Sequence, residues 1–201
     1  TLFRSSIRKF HSGLPGEIVD KLTDIVIADL DGIFIGDTDA AESSPEQSLW
    51  DDIALDNKLS DEVLAGAIKD TLICGDGAFK LSVDTDISKY PLIEFYSGSD
   101  VSYTHSRGRL QEVIFHFWHS YKNKTYRLDE VYGRSSIDYK LYDDNGKEVP
   151  LSTVPEVNGL SNITFAGNFI MAVPLKFFKS PKFDNRGNSI FERKSDTFDA
   201  L

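Results

Sequence analysis

The four histidines are the first side chains to consider for chemistry, because histidine serves both as a general base and as a metal ligand. His116 and His119 lie three residues apart in an alternating apolar stretch, where successive side chains point to opposite faces of a strand. They cannot share a metal ion there unless the strand is bulged. His11 and His105 have no partner nearby in the sequence. We expect these histidines to be hydrogen-bonded or packed against aromatic rings across strands, not to bind a metal.

The acidic loop and the single cysteine are further candidates for a metal site. Asp37, Asp39 and Glu42 follow one another in a polar loop, but the ligand order of an EF-hand and its terminal glutamate are missing. We therefore interpret the loop as solvated. One cysteine, Cys74, excludes an internal disulfide framework and a cysteine zinc cluster. It ends an apolar helical stretch, so we expect a buried, unreactive thiol.

The DLDG sequence at residues 29–32 ends an apolar run and resembles the first motif of haloacid-dehalogenase-type phosphatases. The resemblance implies that one of Asp29 and Asp31 is a nucleophile and the other a general acid, with magnesium neutralising the phosphate. Residues 75–77 are similar to that family's late acidic motif. However, the two motifs lie too close together for the strand–helix units of a parallel sheet, and Ile33 replaces the usual hydroxyl residue. Acidic residues at the end of a helix, followed by a glycine that terminates it, explain the same sequence.

Residues 60–83 predict a helix, a sharp turn and a strand with no gap between them. Ser60 is placed to cap the helix, and Asp61 and Glu62 suit its positive end. Apolar residues then recur at three- and four-residue spacing: Val63, Leu64, Ala67, Ile68 and Leu72. Gly75 and Gly77 allow the backbone to turn, and Phe79, Leu81 and Val83 alternate with polar residues as in a half-buried strand.

Helices are predicted before this stretch and antiparallel strands after it. Helical spacing occurs at residues 15–30, where the competing interpretation is a buried strand, and again after Pro45. The second half of the chain alternates polar and apolar residues, with hairpin turns at 122–123 and 143–146. Pro174 restricts the last apolar run to an edge strand. We therefore predict an α+β fold, with N-terminal helices packed on a largely antiparallel sheet.

Composition limits the function classes. The formal net charge is −10 and the pI about 4.8, which argues against a broad surface that grips nucleic acid. No apolar run approaches the roughly 20 residues that cross a bilayer, so we expect no membrane partner. We found no nucleophile–base pair, phosphate loop or metal-ligand spacing, and we expect neither an enzyme nor a cofactor.

Four passages together resemble the N-terminal part of a tailed-phage portal protein, the head–tail connector of phages and prophages of Gram-positive bacteria. An early helix follows a basic arm, and a helix–glycine–strand passage comes next. A short strand, a glycine-arginine turn and a meander follow, and then a proline-containing strand with a capped helix. These passages are residues 14–33, 49–84, 92–151 and 169–201.

The resemblance implies a structural subunit of a ring, usually of twelve copies, at one vertex of the virion capsid. Double-stranded DNA passes through such a ring without sequence specificity. A terminase motor, head-completion proteins and capsid or scaffold proteins bind it, and assembly takes place in the host cytoplasm. The channel-lining residues would lie beyond Leu201. The alternatives are a magnesium-dependent phosphatase using Asp29 and Asp31, or an unrelated β-rich binding module.

We expect residues 1–201 to form a single wing-like domain and to be a fragment of a longer protein. Its expected parts are a basic arm, a helical part, a β-rich part, and a loop that ends in the start of a helix: residues 1–13, 14–75, 76–178 and 179–201.

Overall fold

Helices occupy the first part of the chain and antiparallel strands occupy the rest, which confirms the α+β prediction. The computed structural model describes residues 13–30, 32–36 and 44–192. The helices are α1 (Leu14–Ala28), α2 (Pro45–Asp56) and α3 (Ala65–Cys74), and a π-helical turn (Leu59–Leu64) leads directly into α3. The strands are β1 (Asp76–Ser82), β2 (Leu92–Ser97), β3 (Val101–Ser106), β4 (Arg109–Tyr121), β5 (Lys124–Gly133), β6 (Ser136–Tyr142), β7 (Glu148–Val149), β8 (Ile163–Thr164) and β9 (Ala172–Lys176).

Several predictions fall on residues outside these ranges. They concern Asp31, the acidic loop with Asp37, Asp39 and Glu42, the arm with His11, and the helix start at Ser195.

Helix α1 decides between the two interpretations of residues 15–30. It begins with Pro15 in its first turn and continues to Ala28, so this apolar run is a helix and not a strand. Val19 is buried against Ile68 and Leu72 of α3, and Ile27 packs beside them. Several apolar side chains of α1 nevertheless stay exposed, among them Leu22, Ile25 and Val26.

The start of the next helical stretch differs from the prediction. Lys58 takes a positive φ of 49°, and the helical backbone already begins at Leu59. Ser60 therefore lies inside the first turn, and the prediction that it caps the helix is wrong. Leu59 is buried, and starting the helix at this residue turns its side chain into the protein.

The prediction of a buried Cys74 is also wrong, because Cys74 is exposed. Helix α3 buries Ala67, Ile68, Thr71 and Leu72, which lie on one face of the helix. At 100° per residue, the position two after Leu72 points about 200° away from that face. Cys74 therefore lies on the solvent side of the last turn.

Every strand pairing in the described part of the chain is antiparallel. A three-stranded sheet has the order β2–β1–β9, and a six-stranded sheet has the order β3–β4–β5–β6–β7 with β8 also paired to β6. Pro174 lies in β9 at an edge of the smaller sheet, as predicted. The two-residue turn at Lys122 and Asn123 gives both residues a positive φ and joins β4 to β5.

The three-stranded sheet is the middle of three layers. Ala78 and Ala172 on one face pack against Val113, Phe115 and Tyr132 of the six-stranded sheet. The opposite face carries Phe95, which lies beside Ala67 of α3. Helix α3 and the six-stranded sheet therefore pack on opposite faces of the smaller sheet.

The turn between α3 and β1 requires glycine because another part of the chain passes against it. Gly75 has a φ of 99°, and a Cβ at this position would lie 3.0 Å from the backbone of Asn188. The corner is therefore both a sharp turn and a docking point for residues far away in the sequence.

We expect Gly75→Ala to lower the free energy of unfolding by about 1–3 kcal/mol, since alanine is strained at this φ and meets the backbone of Asn188. Urea denaturation would measure the loss. Gly66→Ala is the matched control, because a Cβ at position 66 of α3 meets nothing within 4 Å. That variant should gain up to about 1 kcal/mol from better helix propensity. Equal effects of the two substitutions would contradict the assignment.

Candidate functional site

The first polar cluster lies at the glycine corner. Asp76 is only 1% exposed, and its two carboxylate oxygens accept hydrogen bonds from different donors. Arg186 Nη2 donates to Oδ1 at 2.8 Å, and the backbone N–H of Gly187 donates to Oδ2 at 2.6 Å. A charged carboxylate can stay buried only when its oxygens are satisfied in this way.

The guanidinium of Arg186 also holds the ends of strands from both sheets. It donates to the carbonyl oxygen of Val101 at 2.8 Å and to that of Gly98. It stacks 5.2 Å from the ring centre of Tyr103, whose hydroxyl donates to the carbonyl of Gly77 at 2.8 Å. Burial raises the pKa of the Tyr103 phenol, which keeps it protonated as a donor. The cluster therefore joins the C-terminal loop to both sheets.

The second cluster surrounds Lys80 between the two sheets. Its ammonium lies 3.1 Å from Glu130 and 3.5 Å from Glu94. The rings of Tyr96 and Phe117 lie 4.9 Å and 5.0 Å from the ammonium, close enough for cation–π attraction. Burial alone would lower the pKa of Lys80, but the two carboxylates outweigh it and hold that pKa above its ordinary value. Lys80 is therefore a permanent buried cation.

The third cluster lies on the outer face of the six-stranded sheet, away from the smaller sheet. Ser102 Oγ is 2.9 Å from His116 Nε2, and His116 Nδ1 is 2.7 Å from Asp129 Oδ1. Strands β3, β4 and β5 each contribute one member. A serine, an imidazole and a carboxylate in one hydrogen-bonded row can in principle transfer a proton away from the serine.

Arg127 fixes the carboxylate at the end of this row. Its Nε donates to Asp129 Oδ1 at 2.8 Å and its Nη2 to Oδ2 at 3.2 Å. Burial would raise the pKa of Asp129, but the hydrogen bonds from His116 and Arg127 outweigh it and hold that pKa below its usual range. Asp129 is therefore ionised at neutral pH.

The predicted site residues are distributed over different parts of the fold. Asp29 is the C-cap residue of α1 and does not end a strand. The phosphatase hypothesis requires a strand there and a mostly parallel sheet, and the described residues contain neither. Asp76 belongs to the Arg186 cluster. His119 Nδ1 lies 2.9 Å from Glu156, so this histidine is hydrogen-bonded as expected. The ring of His105 lies edge-on to Tyr103, which belongs to the same strand and not to a neighbouring one.

The Ser102–His116–Asp129 row was not predicted from residue spacing, although the sequence contains part of the signal. The turn at residues 122–123 sets β4 against β5 so that His116 lies opposite Asp129. Ser102 could not be placed in the same way, because the pairing of β3 with β4 skips Gln111.

None of the described helices is long and apolar enough to cross a bilayer. Within the described ranges, no group of three or more histidine, cysteine or acidic side chains is arranged to hold a metal ion.

Comparison with known proteins gives no match to any protein family. No curated protein matches the chain either.

We expect Arg186→Met to lower the free energy of unfolding by about 3–5 kcal/mol, because it leaves the buried carboxylate of Asp76 without its cation. Thermal or urea unfolding would measure this. Lys182→Met is the control, since Lys182 is exposed and pairs with Glu192 at the surface. Its loss should stay within about 1 kcal/mol. Comparable losses in both variants would mean that the ion pair of Asp76 is unimportant.

Asp129 should contribute a distinct acid dependence to stability. Its pKa is lower in the folded state than in the unfolded chain, where it is about 3.9. Its contribution is therefore complete above that value and is lost as the pH falls through the lower, folded-state pKa. The difference in unfolding free energy between the wild type and Asp129→Asn should shrink as the pH falls below about 5 and through the folded-state pKa. The exposed Asp70→Asn is the control, and a pH-independent difference for Asp129→Asn would refute the assignment.

Proposed function

We propose that this chain is the wing of a portal subunit, which assembles with copies of itself into a ring at one capsid vertex. The observation that carries the proposal is the apolar surface left open on the helices. Ile25 of α1 is 56% exposed and Leu55 of α2 is 79% exposed. Their exposed apolar neighbours on the same helices are Leu14, Leu22, Val26 and Leu49. The four residues of α1 fall within about 120° of the helix circumference, and an exposed apolar face of this kind is typical of a surface that another protein covers.

Helix α2 contributes to this surface. The helix predicted after Pro45 is present and carries the apolar residues Leu49, Trp50, Ile53 and Leu55. The buried residue of α2 is instead Gln47, whose amide donates to Asp51 Oδ1 at 2.7 Å and whose Oε1 accepts from the N–H of Ile35 at 2.8 Å. Trp50 and Ile53 are half-buried, whereas Leu49 and Leu55 are exposed and thus available to a neighbouring subunit.

The order of elements agrees with the passages that carry the resemblance. A helical part precedes a glycine corner, an antiparallel meander follows, and a proline-containing edge strand comes last. The net charge of −10 also suits a DNA conduit, because cationic walls would hold the phosphates of the passing DNA. In this role the chain needs no catalytic group of its own. The terminase motor and head-completion proteins would bind other parts of the ring, and the channel would be lined by residues beyond Leu201.

The source DNA beyond the codon for Leu201 provides the first test. We expect the reading frame to continue into long helical segments, and its full product to form ring-shaped particles in negative-stain electron microscopy. A stop codon directly after Leu201, or a full product that stays monomeric, would refute the proposal.

A substitution in the full product tests the apolar surface itself. Ile25→Glu should raise the concentration needed for assembly by at least about tenfold, because an apolar side chain of this size contributes about 1.5–3 kcal/mol when buried. Mass photometry would measure assembly, and circular dichroism would verify the fold. Lys147→Glu is the control, since Lys147 is exposed in the turn between β6 and β7, away from the helices, and its substitution changes the net charge more than Ile25→Glu does. If both variants reduced assembly equally, the effect would come from the added negative charge and not from the apolar face.

A further inference from the structure

We propose that Ser102, His116 and Asp129 form a nucleophilic site that cleaves short-chain carboxylic esters. The proposal goes beyond assembly, and nothing in the ring role requires it. It depends on the hydrogen-bonded row across strands β3, β4 and β5 and on the position of β3 at the edge of the sheet.

The carboxylate of Asp129 fixes which ring nitrogen of His116 carries the proton. Both oxygens of an ionised carboxylate can only accept hydrogen bonds, so His116 Nδ1 must donate to Oδ1 at 2.7 Å. In the neutral imidazole, Nε2 is then the unprotonated nitrogen, and it accepts from the Ser102 hydroxyl at 2.9 Å. This is the arrangement in which imidazole acts as a general base on serine.

Arg127 keeps the row in this state. It holds both oxygens of Asp129, and its guanidinium lies 5.1 Å from the ring centre of Tyr142. Its position is therefore set by the sheet and not by a bound substrate. Arg127 is a positioning residue, since it acts on Ser102 only through Asp129 and His116.

The edge of the sheet supplies a donor for the negative oxygen that forms during attack. The N–H of His116 donates to the carbonyl of Asp100 at 2.8 Å. Because hydrogen bonding alternates along an antiparallel strand, the even-numbered residues of β3 point their backbone N–H and C=O groups toward β4, and the odd-numbered residues point theirs away from it. The N–H of Tyr103, the residue after the nucleophile, therefore points to the outer edge of β3, where Arg186 binds the carbonyl of Val101. In nucleophile elbows, which are strand-to-helix turns, the N–H of the residue after the nucleophile is an oxyanion donor, and here the corresponding N–H lies at a strand edge.

The surroundings determine the class of substrate. Trp118 lies two residues from His116 on the same face of β4 and is 65% exposed, so it offers an apolar platform. Ser102 is half-buried, the His116 side chain is 19% exposed, and a single edge N–H gives limited stabilisation of an oxyanion. Such a site can cleave esters with good leaving groups, such as aryl esters of short acids, more readily than amides.

The reaction is a transfer of the acyl group in two balanced steps. Ser102 Oγ attacks the carbonyl carbon while its proton moves to His116 Nε2, and the bond to the leaving oxygen then breaks as that oxygen takes the proton. Water, deprotonated by His116, attacks the acyl-serine in the same way and releases the acid and free Ser102. No oxidant or further co-reactant is needed.

Labelling with a fluorophosphonate tests the nucleophile directly. The purified chain is incubated with the reagent, and the modified residue is located by tryptic mass spectrometry. We expect modification at Ser102, and hydrolysis of p-nitrophenyl acetate that Ser102→Ala abolishes. His116→Gln should slow labelling on the order of a hundredfold, because the general base is lost. Ser106→Ala is the matched control on the same strand and should behave as the wild type.

Two results would overturn the proposal. One is a folded wild-type chain in which Ser102 is unlabelled or is labelled no faster than other serines. The other is ester hydrolysis that persists unchanged in Ser102→Ala, which would assign the activity to an unassisted histidine. Ser102→Cys, verified by circular dichroism and its melting temperature, replaces Ser102→Ala if the alanine variant does not fold. It should react with iodoacetamide faster than the exposed Cys74. Ring assembly of Ser102→Ala is measured separately, so failure here leaves the portal proposal intact.

Discussion

The buried ion pair between Asp76 and Arg186 is the interaction on which the arrangement of the layers depends. Asp76 is the first residue of β1 and follows the glycine that ends the helical part, while Arg186 belongs to the loop after the last strand. Two charges removed from water are stable only with close partners, and here each makes several hydrogen bonds. Because the guanidinium also binds the carbonyl groups of Gly98 and Val101, it fixes where one sheet ends and the next begins. The small residues Gly75 and Gly187 make this approach possible.

A second buried charge has a different effect on the same architecture. Lys80 extends from the smaller sheet to Glu130 of the larger one, so its ion pair bridges two layers that otherwise meet through apolar contacts. Apolar packing tolerates small shifts between sheets, whereas a buried ammonium must keep its carboxylate partners. The aromatic rings of Tyr96 and Phe117 shield the pair from water. Together, the two ion pairs favour one relative position of the two sheets over other positions in which the apolar side chains would pack equally well.

The sequence allowed the local elements to be predicted because their signals are local. The helix from Leu14 follows from 3.6-residue spacing, and the β4–β5 hairpin follows from strand alternation and a two-residue turn. The site depends on an irregular pairing of two strands, which the alternation of polar and apolar residues does not indicate. Counting back from the turn before β4 places Ser102 opposite Val113, on the inner face. The pairing skips Gln111, so Ser102 instead lies opposite Ile114, on the same face as His116. The periodicity of the sequence also does not predict contacts between residues that lie far apart along the chain, such as the contact of Arg186 with Asp76.

The layer order makes the two proposals compatible with one another. The exposed apolar residues of α1 and α2 belong to the helical layer, and the smaller sheet separates that layer from the larger one. Ser102 and His116 lie on the face of the larger sheet that points away from the smaller sheet. A subunit contact made through the helices would therefore leave the serine open to solvent. The helical layer has few buried side chains of its own in the described residues, so its stability should depend on the neighbouring subunit that the portal proposal places over it. The face with the serine belongs to a sheet whose core is complete within one chain. Its geometry should thus be the same in the free subunit and in the ring.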